Sequence, residues 1–148
     1  MSKLLALIRV KGTVKKSEQI ERTLSMLNLP KNNNCSLAVN SSEYLGMIKK
    51  VKDLITWGEI DKETLKLLIE KRGFTVSNKK IDAKKLDEIT DSIFSLKSKL
   101  SDHKIKRTFR LHPPKKGHKR AGIKKPFTVG GALGYRKEKI NDLIKQMV

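Results

Sequence analysis

Leu4-Leu5-Ala6-Leu7-Ile8-Arg9-Val10 is apolar at every position except Arg9. A strand with one wet face alternates apolar and polar residues, whereas a strand covered on both sides does not need to. The run therefore predicts a central β-strand buried on two faces, although periodicity alone also admits a helix. It is too short to span a bilayer and has no small-residue cleavage site of the signal-peptide kind. Gly12 and the lysines after it end the pattern.

Downstream, Ser17 has the form of an N-cap, with Glu18 placed near the positive end of the helix dipole. Ile20, Leu24 and Leu27 follow at helical spacing, and Asn28-Leu29-Pro30 stops the helix. Asn32-Asn33-Asn34 is turn chemistry. Cys35, Leu37 and Val39 then alternate with Ser36, Ala38 and Asn40, which predicts a strand with one buried face. A second helix begins at Ser42 and carries Tyr44, Met47, Ile48 and Val51 as its core stripe. Leu54-Ile55-Thr56-Trp57 is a short third strand. The order is β-α-β-α-β, a small sheet covered by two helices.

The spacing beyond it predicts a helix from Asp61 to Lys71-Arg72-Gly73 with Leu65, Leu68 and Ile69 inside. A further helix opens at Asp82, with a heptad-like seam of Leu86, Ile89, Ile93, Leu96 and Leu100 that packs on the body. Thr108 to His112 reads as extended and Pro113-Pro114 ends it. Gly117 to Gly134 is irregular, and a last helix from about Arg136 places Ile140, Leu143, Ile144 and Met147 on one face. Three segments result: a core at 1–58, a helical insertion at 59–100, and a basic extension with a C-terminal helix at 101–148.

Charge narrows the function. The 148 residues carry 34 Lys and Arg against 15 Asp and Glu, a net +19, with 37% apolar residues and 33% charged ones. A small body this basic repels itself unless a polyanion neutralises it. The excess is uneven: residues 1–56 are net +6, 57–96 are neutral and 97–148 are net +13. From Lys97 to Lys125 there are 12 basic residues and one acid, Asp102. Phe109, Leu111 and Phe127 interrupt the run, and a patterned helix follows it. This favours an extension that orders on RNA over a plain flexible tail, and predicts that residues 97–130 are mobile until RNA is bound. A lone Cys35 forms no internal disulfide, which points to a reducing compartment.

Chemistry for catalysis is not legible. His103, His112 and His118 sit among cations, and with one cysteine they match no zinc spacing. Gly130-Gly131-Ala132-Leu133-Gly134 lacks the Gly-Lys-Ser/Thr ending of a phosphate loop. No enzyme activity, cofactor, metal, small-molecule substrate or membrane partner is expected. Chemistry for nucleic-acid binding is present. Lys49, Lys50 and Lys52 lie outside the core stripe of the second helix, and the Phe109–Arg136 stretch mixes cations, rings, Gly and Pro. With seven aromatic residues in the chain, stacking on a single strand is not the main mode. Backbone and shape recognition of a folded RNA fits better. Gly46 in a helix interior costs about 1 kcal/mol relative to Ala. Either close helix–sheet packing or the approach of phosphate or sugar would explain it.

Tyr44-Leu45-Gly46-Met47-Ile48-Lys49-Lys50-Val51-Lys52-Asp53-Leu54-Ile55-Thr56-Trp57-Gly58 resembles the signature of the ribosomal large-subunit protein L-thirty family, whose eukaryotic counterpart is called L-seven. Phe109-Arg110-Leu111-His112-Pro113-Pro114, Gly117-His118, Gly122-Ile123-Lys124-Lys125-Pro126-Phe127 and Gly130-Gly131-Ala132-Leu133-Gly134-Tyr135-Arg136 are similar to its long archaeal form. The shorter bacterial form ends near Ile55. The resemblance implies an α+β fold: a small three-stranded antiparallel sheet with two helices on one face (a ferredoxin-like fragment), plus the insertion and the extension. It implies a cytoplasmic structural component of the large ribosomal subunit. Its partners would be large-subunit rRNA near the 5S RNA, the 5S RNA itself, and neighbouring ribosomal proteins. Carried over by position, the RNA contacts are Lys49, Lys50 and Lys52 on the helix. In the extension they are Arg110, His112, Lys115, Lys116, His118, Lys119, Arg120, Lys124 and Lys125. Arg9, Lys11, Lys106, Arg107, Tyr135 and Arg136 complete the candidate set. Lys115-Lys116-Gly117 stands where the family often has Arg-Gly-Gly, so a bidentate phosphate grip is absent at Lys115. Two rival readings use the same residues: a chromatin or other structured-RNA binder, and a protein-interaction module working through the balanced 57–96 face.

Overall fold

The computed structural model describes residues 4–12, 14, 16–118 and 122–148. The strands are β1 (Leu4–Arg9), β2 (Asn34–Val39), β3 (Ile55–Glu59), β4 (Phe109–Arg110) and β5 (Gly134–Tyr135). They form one sheet in the order β4-β2-β1-β3-β5. β1 is antiparallel to both neighbours, with Ile8 opposite Cys35 on one side and Thr56 on the other. β4 pairs antiparallel with β2, and β5 pairs parallel with β3.

Alternation along β1 sorts the core. Leu5 and Leu7 face α1 (Glu18–Met26) and α2 (Ser42–Lys50), packing with Leu24, Leu27, Ile48 and Val51. Leu4, Ala6 and Ile8 face α3 (Lys62–Arg72), α4 (Ala83–Phe94) and α5 (Ile140–Met147), packing with Leu65, Leu68, Ile89, Ile140 and Ile144. Both faces of β1 are thus dry, which is why its sequence shows no alternation. Each fully buried Leu or Ile contributes about 1.5–3 kcal/mol. The second cluster also takes in Leu100, Ile105, Phe109 and Leu111, so it draws on residues from all along the chain.

The α+β class and the pair of helices on one face match the expected fold. The sheet has five strands where three were expected, because two short pieces of the extension close its edges. β2 is covered on both faces, not one: Ser36 is buried and its hydroxyl donates to the Leu27 carbonyl at 2.6 Å. The third strand runs two residues past Trp57. The seam of α4 ends earlier than its spacing suggests. The helix stops at Phe94, Leu96 has φ +61°, and buried Leu100 belongs to a separate 3-10 turn. The last helix proper starts at Ile140, after a 3-10 turn over Lys137–Lys139. Ile105 and Phe109, 2% and 0% exposed, are core residues of the chain itself, so the expected mobile segment 97–130 is anchored without RNA at these points.

Candidate nucleic-acid interface

Topology gathers many of the candidate cations at one end of the sheet. β1 ends at Arg9 beside the start of β2 and the start of β3. The amides of Val10 and Lys11 both donate to the Leu54 carbonyl. α2 connects the far end of β2 to the near end of β3, so its last turn brings Lys49 and Lys50 to this end, with Lys52 just after. Arg110 lies opposite Asn34, at the same end of β2. The Gly122–Leu133 loop closes on itself and seats Ala132 and Leu133 on Val10, which brings Lys124 and Lys125 near. Lys49, Lys50, Lys52, Arg110, Lys124 and Lys125 are exposed, and Lys11 is half-buried. Lys31, exposed in the turn before β2, joins them and was not among the candidates. Its signal was the neighbouring Asn-rich turn.

Among the described residues, no carboxylate forms an ion pair with these cations. The ion pairs among the described residues are Arg22–Glu18 on α1, and Lys62–Asp91 and Lys66–Asp87 between α3 and α4. The sheet end therefore presents an excess of positive charge, with Asp53 beside Lys52 as an acid there, while the helical layer pairs its own charges.

Gly46 is exposed, and a Cβ built on it meets nothing within 4 Å. Close packing inside the chain is therefore not its reason. Residues three and four apart share a helix face, so Gly46 lies beside Lys49 and Lys50 on an open surface.

Two candidate arginines point inward. Arg9 is 6% exposed, and its guanidinium donates to the carbonyls of Lys11, Leu29 and Pro30 at 2.7 to 3.0 Å. Burial lowers its pKa, against the raising influence of Glu21. Arg136 is 5% exposed and donates to Thr56 Oγ1 and the Ala132 carbonyl at 2.9 Å, while lying over the Phe127 ring at 4.9 Å. Burial pushes it down to about 10. Both groups tie loops to the sheet and are almost wholly buried, which is at odds with direct phosphate contact.

The other candidates are dispersed. Tyr135 sits on the edge strand β5 opposite Trp57, with ring centroids 6.2 Å apart, and its hydroxyl donates to Glu59. Burial and the Glu59 carboxylate push its pKa up to about 12. The His112 and Lys115 amides donate to the last carbonyls of α5, leaving both side chains exposed, as is that of Lys116. His118 is half-buried in a cleft with Phe127, Arg136 and Asp142, and burial and then Arg136 lower its pKa. Arg107 lies along the outer edge of β2, and Lys106 Nζ donates to Asn78. Lys119 and Arg120 lie outside the described residues.

A model of the family described as Ribosomal protein L30p/L7e matches residues 5–55, from β1 to the start of β3. A protein of Methanococcus maripaludis named "Large ribosomal subunit protein uL30" is 46% identical, over 97% of this chain and 98% of its own length. The chain belongs to the L30p/L7e family. Two more proteins of the same name are similar throughout. That of Nanoarchaeum equitans is 42% identical over 98% of this chain and 99% of its own. That of Methanopyrus kandleri is 41% identical over 94% and 100%. These relatives extend the family match through the insertion, the sheet-closing strands and α5.

Proposed function

We propose that this L30p/L7e chain is a structural, non-catalytic constituent of the cytoplasmic large ribosomal subunit and holds folded large-subunit rRNA against the end of its sheet. The observation that carries the reading is the group of exposed cations, none of them ion-paired among the described residues, drawn there from α2, β4 and the Gly122–Leu133 loop. Phosphate contacts from such groups position a protein on RNA without reading bases. Gly46 lets a sugar-phosphate backbone come close between Lys49 and Lys50. A 5S RNA neighbourhood, and neighbouring ribosomal proteins at the balanced α3–α4 face, belong to the same reading.

Equilibrium binding of the purified chain to large-subunit rRNA fragments and to duplex DNA, at matched salt, tests it. The proposal expects preference for rRNA and a steep salt dependence, each phosphate contributing about 0.7 to 0.9 to the log–log slope. Equal affinity for the two polymers would support the general polyanion binder instead.

A further inference from the structure

We propose that a second RNA-binding surface lies on a strand triplet leading into β4 and seats an unpaired stretch of RNA, with phosphates on Lys80, Lys104 and Lys106 and a base against Phe74. This rests on the RNA-binding reading above and gives it a second, separate contact.

Phe74 bridges antiparallel to Lys80, and Thr75 bridges antiparallel to Ile105. The Val76 amide donates to the Lys104 carbonyl, and the Lys106 amide donates to that of Phe74. Opposed residues in such pairings share a face, and successive residues alternate. Ile105, 2% exposed, marks the inner face. Phe74, Lys80 and Lys106 therefore share the outer one, and Val76 and Lys104, the latter at φ +57°, sit in the turns that flank it. The three lysines are exposed, Val76 is 69% exposed and Phe74 is half-buried. Apolar side chains flanked by lysines on an open strand face suit a ligand with a flat apolar ring and a charged backbone.

The turn is well fixed. The Thr75 hydroxyl accepts from the Lys79 amide at 3.1 Å, and Asn78 takes φ +62°. No acid occurs in residues 71–81 or 103–110, and Asp102 is engaged by the Lys99 amide at 2.8 Å. The neutral total of residues 57–96 conceals this, because all its acids but Glu59 on β3 lie on or cap the two helices while four of its cations fall in 71–80.

Continuity favours RNA over an acidic protein. From Lys104 the chain runs through Arg107 to Arg110 at the sheet end with no acid between them. The half-buried Phe74 ring favours unpaired nucleotides, whose base faces are free to stack.

The test compares two variants of the full chain with the parent: Lys80→Gln/Lys104→Gln/Lys106→Gln, and Lys49→Gln/Lys50→Gln/Lys52→Gln. Each is titrated with large-subunit rRNA across a salt series and probed by hydroxyl-radical footprinting. Each variant should lower the log–log slope by about 2 to 3. Each should lose a different protected stretch, and the one lost with the strand-triplet variant should be unpaired. A parental slope and footprint in that variant overturn the proposal, even if an acidic protein partner is lost. Loss of the same stretch from both variants also overturns it. If the parent itself fails to bind rRNA, the function proposed above falls and takes this surface with it. Asn78→Gly removes the Lys106 tie without changing charge and keeps the left-handed φ of +62° at that position. It should retain the parental footprint, and loss of the stretch there would assign the effect to loop shape and end the proposal.

Discussion

Replacing Arg136 with Leu separates a residue that holds the fold from one that holds RNA. Its guanidinium makes two buried hydrogen bonds, to Thr56 Oγ1 and the Ala132 carbonyl, and Thr56 Oγ1 in turn donates to the Gly134 carbonyl. Hydrogen bonds to a charged group contribute about 1.5–3 kcal/mol each. Removing both, less the relief of no longer burying a cation, gives a net loss of about 2–4 kcal/mol. For a domain of this size that lowers Tm by roughly 5–15 °C, measurable by calorimetry. Thr56→Val should lose part of the same energy, so the double variant should fall short of the sum by about 0.5–3 kcal/mol. Below its transition, the Arg136→Leu protein should keep the parental salt slope for rRNA. An unchanged Tm combined with a slope reduced by about 0.7 to 0.9 would refute the structural assignment and make Arg136 a phosphate contact.

Gly46→Ala should raise stability by about 1 kcal/mol, as expected in an open helix interior. The same change should weaken rRNA binding, and an affinity equal to the parent's would remove the case for close backbone approach there. The Cys35 thiol, fully buried and pushed up to about 12, should react with an alkylating reagent only as fast as the chain opens. Rapid labelling of the native protein would contradict its place in the core. His118 has a folded pKa below the usual 6.5, because burial and Arg136 oppose its charge. The unfolded chain therefore binds the extra proton first, and stability should fall as pH drops through 6.5 toward the folded value. His118→Gln should flatten that part of the stability curve, and an unchanged acid limb would show that this cleft does not contribute.

What the sequence revealed, and what it hid, has physical causes. β1 was legible because its apolar run has one good explanation, cover on both faces, and the two core clusters supply it. The inner side of β2 was hidden by Ser36, a polar residue whose burial depends on a carbonyl nine residues back. β5 has two residues and rests on Gly134 at φ +88° and on the Arg136 amide bond to Trp57, and neither leaves an apolar pattern. Residue type alone could not separate the interior arginines from the exposed lysines. Arg9 carried a clue, because it interrupts a strand that is otherwise fully apolar. The sheet-end group was readable as charge, but its convergence depends on α2, β4 and a distant loop meeting at one edge. Lys80 was hidden because a neutral segment total averages a basic turn with two ion-paired helices, whereas Lys104 lay in the basic run with no motif to single it out.

Ultraviolet crosslinking on intact large subunits, with both the peptide and the RNA fragment sequenced, bears most directly on the central claim. Crosslinked peptides should contain Lys49 to Lys52 and Arg110 to Lys125, joined to large-subunit rRNA. Crosslinks confined to the α3–α4 face around Asp87 and Asp91, or a chain that yields none to RNA, would contradict it.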